Sequence, residues 1–62
     1  MKKRHVYALK TLLPVIKGTI LSIESIRSEC EVGTGDIAET SDIIYSLKQA
    51  ERVINSILDE NL

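Results

Sequence analysis

The sequence predicts an all-α protein that folds as an antiparallel hairpin of two long helices. Apolar residues recur in steps of three and four in both halves of the chain, which is the spacing of a helix face that packs on another helix. A short glycine-containing joint at residues 32–35 separates the two halves. Because 62 residues suffice for one domain only, we treat residues 1–62 as a single helical-hairpin domain.

The first helix is predicted to span about residues 3–31. Its heptad seam, a coiled-coil pattern, consists of Val6, Leu9, Leu13, Ile16, Ile20 and Ile23. Pro14 interrupts this helix, because a proline cannot donate a hydrogen bond to the carbonyl of Lys10. The seam continues in phase across Pro14, so we expect a kink; the alternative is a break, with Pro14 opening a new helix and three helices in all.

The joint contains residues that suit the end of one helix and the start of another. Gly33 suits the left-handed position that closes helix 1. Asp36 and Glu39 form a D-x-x-E pattern similar to a capping box, which predicts a second helix over about 36–61, with a later start at 40–42 as the alternative. A joint this short makes the two helices antiparallel. The predicted seam of helix 2 consists of Ile43, Leu47, Ala50, Ile54 and Ile57.

A second set of apolar residues lies beside the two predicted seams: Leu12, Ile26, Ile37, Ile44, Val53 and Leu58. Two helices packed only on each other leave much of this set in water, which forgoes about 1.5–3 kcal/mol for each side chain. We therefore predict a homodimeric four-helix bundle, in which a second hairpin covers this face. A complex with a different protein would use the same face, so that alternative stays open.

The composition argues against a disulfide, a metal site and a membrane span. The chain has one cysteine, Cys30, and one histidine, His5, so we expect no internal disulfide, no metal site and no cofactor. Lys10 and Lys17 interrupt the apolar stretch 6–21, which argues against a membrane span or a cleaved signal peptide. We accordingly expect a cytoplasmic protein with no membrane partner and with Cys30 reduced, buried and inert.

Charge is distributed unevenly along the chain. Residues 1–31 hold six Lys or Arg against three Glu, whereas residues 36–62 hold two against six Asp or Glu, for a net charge of −1. In an antiparallel hairpin these halves lie side by side, which favours pairing within the molecule or between subunits.

No residue set carries a recognisable reaction, so we expect a non-enzymatic protein. The chain lacks a plausible Ser-His-Asp set, and Gly33-Thr34-Gly35 lacks the phosphate-loop pattern. The predicted function is a small protein-interaction or regulatory module, a helical-hairpin dimer that docks on a larger partner protein. Tyr45 and Tyr7 fall off the seams and are candidate partner anchors, although tyrosines also cap the edges of bundles with the hydroxyl in water.

The alternative function is RNA or DNA binding. Lys3, Lys10 and Lys17 recur every seven residues and form a stripe along helix 1 that could track phosphates; the same stripe is also typical of a solvated flank that pairs with acids of helix 2. The length and the two-helix plan resemble the Rop family of plasmid RNA-binding four-helix bundles. That resemblance covers the architecture and assigns no site residue. Small helical chains of this kind are common in phages and plasmids, so a phage or plasmid protein is the expectation from size.

Overall fold

The computed structural model describes residues 1–61, which form two helices. Helix α1 spans Lys3–Glu29 and helix α2 spans Gly35–Glu60, and the two pack against each other as a hairpin. This confirms the predicted all-helical hairpin. The hairpin measures 46 × 15 × 12 Å along its principal axes. Its radius of gyration is 14.5 Å, whereas a compact domain of this length has a radius of gyration of about 10.5 Å. We call the end with both termini the open end and the other the turn end.

Helix α1 runs without interruption through Pro14, so the alternative of a break and three helices is wrong. Pro14 and Lys10 are both exposed. The Lys10 carbonyl, which loses its helical donor, therefore belongs to the solvent-facing side of α1, where the cost of a proline inside the helix is lower.

The joint differs in detail from the prediction. Helix α2 begins at Gly35 with Thr34 at the N-cap, where no side chain caps the helix; the Thr34 hydroxyl donates instead to the carbonyl of Glu31 at 2.8 Å. The predicted cap at Asp36 is therefore wrong, and Asp36 lies in the first turn, where its charge complements the helix dipole. Gly33 has a φ of +91°, the left-handed conformation expected of it, but it lies within the joint and not directly after α1.

The α1 face that contacts α2 comprises buried and half-buried residues: Val6, Leu9, Leu13, Ile16, Ile20, Ile23 and Cys30. The α2 face that contacts α1 follows the same steps of three and four. Its buried and half-buried members are Ile37, Thr40, Ser41, Ile44, Leu47, Glu51, Ile54 and Leu58, and Gln49 is half-buried outside these steps. We call these two sets the α1 seam and the α2 seam.

The α2 seam corrects the sequence prediction. Ile43 and Ala50, placed in the seam from the sequence, are exposed, and Ile57 is half-buried beside it. The side chains predicted for the partner face occupy the seam instead: Ile37, Ile44 and Leu58. The physical reason is size, because the inward row carries five large aliphatic side chains and the outer row carries Ala50 and Ser46 at its centre. Turning the larger set inward removes more apolar surface from water.

Candidate interaction site

The hairpin has two long sides of different chemistry. In each helix, the residue that follows a seam residue points to one side, and the residue that precedes it points to the other, because successive residues are about 100° apart. One open groove is lined jointly by Lys17 and Leu21 of α1 and by Lys48 and Arg52 of α2, all of which follow seam residues. The residues that precede seam residues therefore share the opposite side.

The first side contains what we call the cationic groove. It lies between the 17–21 turn of α1 and the 48–52 turn of α2, and its lining residues are Lys17, Ile20, Leu21, Lys48, Glu51 and Arg52. Ile20 forms the floor and is 7 % exposed, whereas Leu21 at the edge is 68 % exposed. Three cations and one carboxylate thus surround an apolar strip.

The second side, which we call the uncharged face, has two rows at heptad spacing. The α1 row is Ala8, Leu12, Val15, Thr19, Ser22 and Ile26, and the α2 row is Ile43, Ser46, Ala50, Val53 and Ile57. All are exposed except Ile57, which is half-buried. No member of these two rows is charged, so residues 8–26 of the first row and 43–57 of the second offer a surface that water solvates poorly. At the turn end the same side carries Glu29, Asp36 and Glu39, which also precede seam residues.

The accessible area of the chain is large for its mass. The hairpin exposes 4816 Å², whereas a compact monomer of 6.9 kDa exposes about 4,000 Å². The excess of about 800 Å² reflects the elongated shape of the hairpin, and it is of the same order as the area that one partner contributes to an interface of standard size.

The predicted partner-face residues divide between two places. Leu12, Ile26 and Val53 lie on the uncharged face, while the other three lie in the α2 seam. The candidate anchors Tyr7 and Tyr45 are both exposed, each following a seam residue on the groove side. They are not neighbours, because Tyr7 lies near the open end and Tyr45 lies nearer the turn end.

The lysine stripe lies on the groove side. Lys3, Lys10 and Lys17 are exposed, and Lys17 lines the groove together with Lys48 and Arg52. The sequence-based reasoning missed Lys48 and Arg52. The signal that could have found them is their position directly after Leu47 and Glu51 of the α2 seam, which becomes readable only once that seam is assigned.

The reactive residue types are dispersed. The Cys30 thiol is half-buried and donates to the carbonyl of Ile26 at 3.3 Å, and His5 is exposed in the first turn of α1. Within residues 1–61, no group of three or more His, Cys, Asp or Glu could hold a metal ion.

Helix α1 is long and apolar enough to cross a membrane by length and composition alone. A window of 18 residues within Lys3–Glu29 has a mean hydropathy of 1.4, and 6 % of it is buried in the hairpin. The physical source of this value is that α1 carries two apolar rows, the seam and the uncharged row. The same composition thus suits a helix that packs on two neighbours.

The chain matches no known family, no curated protein and no solved structure.

Proposed function

We propose that this chain is a small protein-interaction module that pairs with a second copy through its uncharged face to form a four-helix bundle. The observation that carries the proposal is the uncharged face itself, two rows of exposed and mainly apolar residues with no charge among them. Five large aliphatic side chains of this face are about half exposed: Leu12, Val15, Ile26, Ile43 and Val53. Covering them would contribute roughly 5 kcal/mol per chain, at about half the full-burial value for each.

The area argument supports a second copy as the occupant. A module of this size gains its stability most readily by oligomerisation, since its single cysteine allows no internal disulfide to supplement a small core. The excess exposed area of about 800 Å² is of the same order as the contribution of each chain to a standard interface.

Charge supports an antiparallel arrangement of the two hairpins. The turn end, residues 24–42, holds one Arg against six Asp or Glu, whereas the open end, residues 1–10 and 55–61, holds four Lys or Arg against two Asp or Glu. Antiparallel packing would set the acidic end of each copy beside the basic end of the other, which favours this orientation over the parallel one.

Two threonines on α1 provide a matched test. Thr19 lies at the centre of the uncharged face, while Thr11 lies about 80° further around α1, on its outer side. Both are exposed, and each hydroxyl donates to a backbone carbonyl one turn back at 2.8 Å. Thr19→Glu would bury a charge in the proposed interface, whereas Thr11→Glu would add the same charge to water.

We expect light scattering after size exclusion to give the mass of two chains for the unmodified protein and for Thr11→Glu, and of one chain for Thr19→Glu. Ala50→Glu and Ala38→Glu form the equivalent pair on α2, with Ala50 on the uncharged face and Ala38 on the groove side. A monomer for the unmodified chain at all concentrations, or equal masses for Thr19→Glu and Thr11→Glu, would overturn the proposed dimer.

Nucleic-acid binding is the second candidate function, favoured by the three cations that line the groove. It ranks second because Glu51 lies among these cations, and Glu24 and Asp59 follow Lys17 and Arg52 one heptad later on the same side, so the cations do not continue as a stripe that tracks phosphates. A gel shift on structured RNA tests it, with Lys3, Lys10 and Lys17 changed to Glu; binding that the triple variant retains would remove the stripe from consideration.

A further inference from the structure

We propose that the cationic groove is the docking site for an acidic amphipathic helix of another protein. This inference deepens the proposed function, on which it rests, by assigning a partner class to the interaction module. It uses the side of the hairpin opposite to the uncharged face, so a dimer leaves one groove open on each outer surface.

The shape of the groove suits a helix. It lies between one turn of each of two antiparallel helices, and a third helix can lie across such a position because helices pack at 8–10 Å between axes. In this mode, apolar residues of the incoming helix at i, i+3 or i+4, and i+7 face the groove. Ile20 and the exposed Leu21 offer the apolar strip that these residues require.

The charges of the groove select an acidic partner. Lys17, Lys48 and Arg52 line it against a single carboxylate, Glu51. Carboxylates that flank the apolar stripe of an incoming helix would meet these three cations, whereas lysines in the same positions would be repelled. The side chains of Lys17, Lys48 and Arg52 also add aliphatic stems to the strip.

Two other anionic partners fit the groove less well. A nucleic-acid backbone presents phosphates at close intervals and offers nothing apolar to cover Leu21. A flat lipid surface would contact the exposed Leu21 but would leave Ile20, which is 7 % exposed, uncovered. An amphipathic helix satisfies both the charges and the apolar floor.

The test uses two synthetic fluorescent peptides that differ only in charge. Both carry Leu at i, i+4, i+7 and i+11, with Glu at the remaining positions in one and Lys in the other. We expect fluorescence anisotropy to show saturable binding of the Glu peptide and not of the Lys peptide. No binding of the Glu peptide, or equal binding of both peptides, would overturn the proposal.

Two double variants with the same change of charge localise the binding. Lys48→Glu with Arg52→Glu alters the groove, whereas Lys2→Glu with Arg4→Glu alters the open end. We expect the first pair to weaken binding of the Glu peptide by about tenfold or more, and the second by less than about twofold. Equal weakening by both pairs would indicate attraction by net charge and would overturn the groove as the site. If circular dichroism shows that the Glu variants lose helix, the corresponding Gln variants replace them, with the same ordering expected.

Failure of this proposal is distinguishable from failure of the proposed dimer. The Thr19→Glu variant should bind the Glu peptide as the unmodified chain does, because Thr19 lies on the opposite side from the groove. Anionic vesicles and duplex RNA serve as competitors. If either binds in place of the Glu peptide and loses binding with Lys48→Glu and Arg52→Glu, the groove recognises a lipid surface or a nucleic acid, and the proposal is wrong.

Discussion

Replacing Ile44 and Ile43 by alanine, one at a time, tests which face of α2 packs on α1. Ile44 is 5 % exposed and Ile43 is 45 % exposed, although the two are neighbours in sequence. Truncating a buried isoleucine to alanine costs about 2–5 kcal/mol. The total stability expected for a chain of this length is about 3–9 kcal/mol, so Ile44→Ala removes a large fraction of it. Ile43→Ala removes a side chain that is already half in water and should cost about 1 kcal/mol in the hairpin.

Thermal unfolding followed by far-UV circular dichroism measures both variants. In a domain of this size, 1 kcal/mol shifts Tm by about 4–8 °C, so we expect Ile44→Ala to lower Tm by about 10 °C or more and Ile43→Ala by about 5 °C. The comparison belongs at the lowest usable protein concentration, because Ile43 also lies in the proposed dimer interface. At that concentration, a loss for Ile43→Ala equal to or larger than that for Ile44→Ala would show that the seam passes through Ile43, and the assignment of faces made here would be wrong.

Two further predictions concern the backbone and are checked by urea unfolding. Gly33→Ala should destabilise the chain by about 1–2 kcal/mol, because Gly33 has a φ of +91°. Gly18→Ala should stabilise it by about 1 kcal/mol, because the added methyl group would meet no atom within 4 Å apart from the adjacent backbone of α1. The same sign for both would contradict this account. Pro14→Ala should stabilise the chain by up to about 3 kcal/mol, because it restores a donor for the Lys10 carbonyl, and a destabilised variant would show that Pro14 makes contacts that outweigh the lost hydrogen bond.

The sequence alone predicts the two helices, their antiparallel order and the α1 seam, because each rests on a local signal. The steps of three and four on α1 contain one dominant apolar row from Val6 to Ile23, and the glycines at 33 and 35 locate the joint to within a few residues. Helix ends are set by hydrogen bonds that composition does not specify. Thr34 illustrates this, since its hydroxyl bonds to Glu31 and leaves the N-terminus of α2 without a side-chain cap.

The sequence does not decide which way α2 faces. Two rows offset by one position, one through Ile44 and the other through Ile43, both have the spacing of a packed face. Leu47 and Ile54 can be assigned to either row by spacing alone. The inward row includes the polar residues Glu51 and Thr40, so apolar periodicity alone favours the other row as the packed face. Only the packed hairpin shows that these polar residues are tolerated, with Glu51 at the edge of the groove and the Thr40 hydroxyl bonded to the carbonyls of Asp36 and Ile37. The cationic groove depends on this rotation, which is why the sequence did not predict it.

The row through Ile43 on α2 would form part of the interface if two hairpins pair. The orientation of the two hairpins in that dimer can be measured. Val32 in the joint is 95 % exposed, so a nitroxide label at Val32→Cys, in a Cys30→Ser background, reports the position of the turn end without entering either face. In the antiparallel dimer favoured by charge, the two labels lie at opposite ends of a molecule 46 Å long, and electron-electron distance measurements should give a separation of that order. In a parallel dimer, adjacent helices at 8–10 Å bring the two turns within roughly 20 Å of each other. A short distance would contradict the charge argument but would be consistent with the uncharged face as the interface. The absence of any defined distance, together with a monomeric mass, would contradict the dimer, and the uncharged face would then be a binding surface for a different protein.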